Sequence, residues 1–89
     1  MLLEKELVLK NKYGLHARPA TLFAETANGY RCEITVVKDG QDVNGKSIFG
    51  LMMLAAESGS RLIVRASGDD AEAAIAAIEA LIEKKFNEE

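Results

Sequence analysis

"RCEITVVKDGQDVNGKSIFGLMML", residues 31–54, supports two readings that lead to different folds. From Gly40 to Ser47 it spells G-x-x-x-x-G-K-[ST], the pattern of a phosphate-cradling loop between a buried strand and a helix. Read by alternation instead, Cys32, Ile34 and Val36 point to one side of a strand. Asp39-Gly40 is then a two-residue hairpin signal, and residues 41–44 are a return strand with Val43 inward. The second reading fits better. A nucleotide loop follows a nearly continuous apolar strand, precedes a solid helix and needs a carboxylate elsewhere for magnesium. Here the strand alternates, and no apolar strand ending in aspartate follows it. The stretch therefore predicts a β-turn, a short strand and a short apolar helix over 47–54, with Ser47 as its N-cap.

The flanking segments extend this pattern. Residues 2–10 alternate, with Leu3, Leu7 and Leu9 on one side and Glu4, Glu6 and Val8 on the other, as a half-buried strand does. Residues 17–29 switch to helical spacing. Leu22, Phe23, Thr26 and Ala27 share a face, Pro19 lies in the first turn and Gly29 is the stop signal. A further strand, 60–66, turns Leu62, Val64 and Ala66 inward. The last segment, 69–86, reads as a helix with an apolar stripe of Ala74, Ile75, Ile78, Leu81 and Ile82. Asp69 and Asp70 stand at its positive end, and Lys84 and Lys85 near its negative end. The order βαββαβα predicts an α+β open-faced sandwich: a four-stranded antiparallel sheet with three helices on one face, as a single domain over 1–89.

Composition sets outer bounds. Eighty-nine residues, 48% hydrophobic and without tryptophan, suffice for a small aliphatic core but not for a large ligand chamber. The net charge of −3 works against a nucleic-acid partner, which would meet a basic face. The single cysteine, Cys32, lies in an apolar stretch and reads as a buried thiol. No run is apolar enough to insert into a bilayer, and no secretory pattern follows Met1, so a cytoplasmic protein is expected. One histidine and one cysteine are too few ligands for a metal site, and nothing calls for a cofactor.

The one histidine, His16, stands in "YGLHARPAT" (13–21), directly before a helix start. Most lone histidines there are plain surface or cap residues, but three neighbours argue otherwise. Gly14 permits an unusual backbone, Pro19 sharpens the entry into the helix, and Arg18 offers a planar fork of donors suited to phosphate oxygens. Free backbone N–H groups at the helix start and the Arg18 charge together make an anion site. A neutral imidazole nitrogen attacks phosphorus without a base to deprotonate it first, unlike a serine hydroxyl.

"GLHARPAT" taken with "NGKSIFGLMML" resembles the HPr family, the histidine-containing phosphocarriers of the bacterial phosphoenolpyruvate-dependent phosphotransferase system. The resemblance runs from about residue 4 to residue 86. It implies that enzyme I phosphorylates His16 on Nδ1 and that the chain hands the phosphoryl group to enzyme IIA domains, as a carrier rather than an enzyme. Arg18 and the backbone amides of Ala17 and Arg18 would hold the phosphate. Ser47 would be a regulatory site for HPr kinase/phosphorylase. Leu15, Thr21, Phe49 and Met52 would form the partner-docking surface, with Ile48, Leu51 and Leu54 turned to the core. A monomer is expected. The alternative within the family is the nitrogen-regulatory carrier, NPr-like, with regulatory rather than sugar-transport output. Outside it, the alternative is a small acyl-phosphate hydrolase.

Overall fold

The structure, a computed structural model, describes residues 1–88. Seven main elements follow the expected order: β1 (Leu2–Val8), α1 (Ala17–Asn28), β2 (Glu33–Lys38), β3 (Gln41–Asn44), α2 (Ile48–Met53), β4 (Arg61–Ser67) and α3 (Ala71–Glu83). The strands form one antiparallel sheet in the order β1-β4-β2-β3. The hairpin reading of residues 38–41 holds. Lys38 pairs with Gln41 across Asp39 and Gly40, both of which take positive φ, 51° and 81°, as a type I′ turn demands.

Alternation along the strands decides which sheet face is covered. Leu7, Leu62, Val64, Ala66, Ile34 and Val36 turn to one side and are buried. Register places Leu7 opposite Leu62 and Val64 opposite Val36, so the buried residues form a continuous apolar sheet surface. Onto it pack Phe23, Ala24 and Ala27 of α1 and Ala74, Ile75, Ile78 and Ile82 of α3, while Leu22, Thr26 and Leu81 of the expected faces are only half-buried. α1 packs beside α3, and α2 lies against α1 and β3. The opposite sheet face carries cross-strand ion pairs, Arg65 with Glu4 at 2.6 Å and Arg61 with Glu6 at 3.4 Å. Such exposed pairs contribute about 0.2–1 kcal/mol each.

Three expectations need correction. Ile48 is not core: the six residues of α2 make too few turns to bury two faces, and Ile48 stays 39% exposed. The last helix is shorter than 69–86. Asp70 is its N-cap residue, but the carboxylate faces away from α3, its two oxygens accepting from the backbone N–H groups of Arg31 (2.8 Å) and Cys32 (2.9 Å). Mainly because of the Arg31 bond, the Asp70 carboxyl is held below its ordinary range. At the other end α3 stops at Glu83, and the chain turns back through three successive left-handed residues, Lys85, Phe86 and Asn87, with φ of 53°, 53° and 60°. For residues other than glycine this conformation costs roughly 1–2 kcal/mol each. Complete burial of the Phe86 ring offsets that cost and pins the turn to the core.

Candidate functional site

The site is built on the loop from Asn11 to the start of α1. Gly14 has φ +67°, and a Cβ there would stand 2.1 Å from the Ala56 carbonyl oxygen, so only glycine fits. This close approach lets Leu15 N–H donate to Ala56 O at 2.9 Å and sends the Leu15 side chain inward. Leu15 is consequently 3% exposed and cannot serve as a docking residue. The turn that buries Leu15 delivers His16 to the surface, its side chain 41% exposed.

His16 is the N-cap residue of α1, with φ −76° and ψ −173°, and its side chain makes no cap hydrogen bond. Its carbonyl accepts from Ala20 N–H at 2.9 Å, the first bond of the helix. Pro19 has no N–H, so the donors left at this helix start are the amides of Ala17 and Arg18. Arg18 is exposed in the same turn. His16, Ala17 and Arg18 are thus brought together at one positive helix end, an arrangement suited to an oxyanion. Thr21 sits one turn on, half-buried, its hydroxyl donating to Ala17 O at 2.8 Å.

Two further groups hold the imidazole. The Tyr13 ring meets it edge to face at a centroid distance of 6.0 Å, and Glu88 Oε2 lies 2.9 Å from His16 Nε2. The other carboxylate oxygen, Oε1, accepts from Asn11 Nδ2 at 3.0 Å. Asn11 is fully buried, and Nδ2 also donates to Gly14 O at 2.7 Å. Asn11 and Glu88 were not singled out in the sequence, and Glu88 carried no signal there, because "EKKFNEE" continues a helical, charged pattern.

The second segment of interest lies across α1. Met52, Ala55, Ala56 and Glu57 line a shallow depression with Tyr13, Leu15 and His16, which places the end of α2 beside the imidazole. Phe49 is 80% exposed, and Met52 and Met53 are exposed with it, so the surface of α2 is an apolar patch. Ser47 is the N-cap residue of α2, its Oγ accepting from Gly50 N–H at 3.0 Å. Lys46, the lysine of the phosphate-loop spelling, donates through Nζ to Tyr30 O at 2.7 Å. The Lys46 carbonyl in turn accepts from Asn28 Nδ2 at 3.1 Å. This lysine ties α2 to the end of α1 and is not presented to a nucleotide.

Cys32 is buried beside Asp70, and burial first, then its hydrogen bond to that carboxylate, pushes the thiol up from its ordinary range. Among the described residues, no three or more His, Cys, Asp or Glu side chains converge as metal ligands would. Nor is any helix of the described residues long and apolar enough to cross a membrane.

Known proteins share the fold and much of the sequence of this chain. The family model for the PTS HPr component phosphorylation site matches residues 3–84. The HPr-like protein Crh of Halalkalibacterium halodurans is 48% identical over 84 residues, covering 94% of this chain and all of the relative. The phosphocarrier protein HPr of Xylella fastidiosa is 41% identical over 88 residues, 99% of each chain. The crystal structure of HPr from Thermoanaerobacter tengcongensis superposes with a TM-score of 0.94 at 49% identity, covering 98% of each chain.

Proposed function

From the premise that this chain belongs to the HPr family of phosphotransferase-system phosphocarriers, we propose that it accepts a phosphoryl group from phospho-enzyme I on His16 and passes it to enzyme IIA domains. The observation that carries the reading is the start of α1, whose first two amides have no backbone partner among the described residues. An exposed imidazole, two backbone amides without helix partners and the exposed Arg18 share one turn. Those amides and Arg18 stabilise the oxygens of the incoming group, while a ring nitrogen supplies the lone pair. The N–P bond forms as the bond to the donor breaks, and the reverse exchange delivers the group to the acceptor. No base is needed, which suits a reversible relay.

Docking falls to Thr21, Phe49 and Met52, with Met53 and Ile48 extending the apolar patch. Leu15 belongs under that surface. Ser47 is the proposed regulatory phosphorylation site of HPr kinase/phosphorylase. A phosphate there adds about −1.5 to −2 charges at the edge of the patch, which opposes the docking of acidic partners and slows transfer through His16.

The relay is tested by mixing enzyme I, phosphoenolpyruvate and a IIA domain. Label reaches the IIA domain when this protein is present, and none arrives with His16→Ala. Efficient transfer through His16→Ala would refute the assignment. For Ser47, ATP-dependent and acid-stable labelling by the kinase is expected in the wild type and lost in Ser47→Ala. Full labelling of that variant would place the phosphate elsewhere.

A further inference from the structure

We propose that Glu88 is a positioning residue for His16, fixing the imidazole as the Nε2–H tautomer and so reserving Nδ1 for phosphorus. The inference rests on the carrier reading above and adds the residue that decides which nitrogen reacts.

Both oxygens of the Glu88 carboxylate have partners. Oε2 is 2.9 Å from His16 Nε2, and Oε1 accepts from Asn11 Nδ2 at 3.0 Å. Asn11 is fully buried and also donates to Gly14 O, so its amide faces two acceptors and its orientation is settled. The loop that presents His16 therefore also holds the carboxylate that touches it. The Glu88 side chain is only 17% exposed. Its backbone is held by Glu88 N–H donating to Lys85 O at 3.1 Å, within the left-handed turn that buries Phe86. A rare conformation at three consecutive residues, anchored by an aromatic side chain and ending on the one histidine, is strain placed beside reactive chemistry.

The chemical consequence follows from what each atom can donate. A carboxylate oxygen only accepts, so the proton of the 2.9 Å contact belongs to Nε2. In the neutral ring Nδ1 then has no proton and holds the free lone pair. That pair forms the N–P bond, and the electrons of the breaking donor bond return to the donor. The Nε2 proton stays in place, and the ring becomes a phosphorylated imidazolium whose positive charge faces the carboxylate. When the group leaves, the N–P pair returns to Nδ1 and the tautomer is unchanged. Glu88 thus acts through His16 and touches no substrate.

The test uses the full chain, whose single histidine makes its ring nitrogens unambiguous. Histidine-labelled 15N spectra of the unphosphorylated protein are recorded at about pH 8.5. The expected wild-type spectrum is dominated by the Nε2–H form. Glu88→Ala shifts the ring toward a mixture of tautomers. Glu88→Gln falls between, since an amide can either accept from Nε2–H or donate to a bare nitrogen. The rate of phosphorylation by enzyme I falls roughly tenfold in Glu88→Ala, the loss of about one charge-assisted hydrogen bond. Ring spectra identical in wild type and Glu88→Ala overturn the proposal. So does a tautomer change that leaves the phosphorylation rate untouched. If His16 of the wild type takes no phosphate at all, the carrier reading fails, and the ring spectra still decide whether Glu88 sets the tautomer.

Discussion

Two helices of this small protein start in glycine-containing loops, and the two starts are built in opposite ways. At α2 the polar groups face inward: Ser47 caps Gly50 N–H, Lys46 holds Tyr30 O, and Asn28 holds the Lys46 carbonyl. At α1 the cap residue makes no side-chain cap bond, Pro19 contributes no N–H, and Arg18 points to solvent. The first start stabilises the fold. The second leaves donors and an exposed imidazole at the surface, and its order comes from elsewhere, through Gly14 against Ala56, Tyr13 against the ring, and the Asn11–Glu88 pair. A helix start whose first amides have no backbone partner among the described residues, yet whose backbone is tightly fixed, is where chemistry is to be sought.

The contrast breaks most readily at Gly14. Gly14→Ala introduces a Cβ against a backbone oxygen at 2.1 Å and a strained positive φ. It should destabilise the protein by about 3 kcal/mol or more, measured by urea unfolding. Loss of less than about 1 kcal/mol would show that the loop relaxes freely and does not hold His16 in place.

At the other start the effects are smaller and fall on stability alone. Lys46→Met should cost about 1–2 kcal/mol by leaving the Tyr30 carbonyl without its charged donor. Ser47→Ala should cost about 1 kcal/mol as an N-cap deletion. Neither should alter phosphorylation of His16 in the absence of a serine kinase. A large drop in that rate with unchanged stability would undo the division between a structural and a chemical helix start.

A third N-cap residue sharpens the comparison through pH. The Asp70 carboxyl is held down in the folded chain, chiefly by Arg31 N–H. A depressed carboxyl contributes stability above its unfolded value, near 3.8, and that contribution is lost as pH falls through the lower folded value. Asp70→Asn should therefore be less stable than wild type at neutral pH, and the difference should shrink in acid. A constant difference across the acid range would mean that the backbone bonds to this carboxylate do not matter. The smallest expected effect on stability is that of Arg18→Ala, within about 0.5 kcal/mol, although it should slow phosphoryl acceptance.

The sequence made the fold legible wherever periodicity was long or turn chemistry was strong. Asp39-Gly40 gave the hairpin, Leu62-Val64-Ala66 gave a buried strand, and the Ala74 to Ile82 stripe gave a core helix. It was also enough to set aside the phosphate-loop spelling. What it concealed had physical causes. Leu15 beside a candidate phosphoryl-accepting histidine suggests a docking residue, but a left-handed glycine reverses which side chain faces out. Ile48 looked like core because helical spacing says nothing of a helix too short to be covered. The end of α3 was misplaced because "KKF" is good helical sequence, and burial of Phe86 outweighs that local preference. Glu88 and Asn11, seventy-seven positions apart, meet only through that turn.

The proposed relay depends on His16 as the accepting residue. Incubation of the wild-type protein with enzyme I and phosphoenolpyruvate, followed by intact-mass analysis before and after mild acid, tests it directly. One phosphate per chain, lost in acid and stable in base, is expected in the wild type and none in His16→Ala. An acid-stable adduct, or equal labelling of His16→Ala, would contradict it.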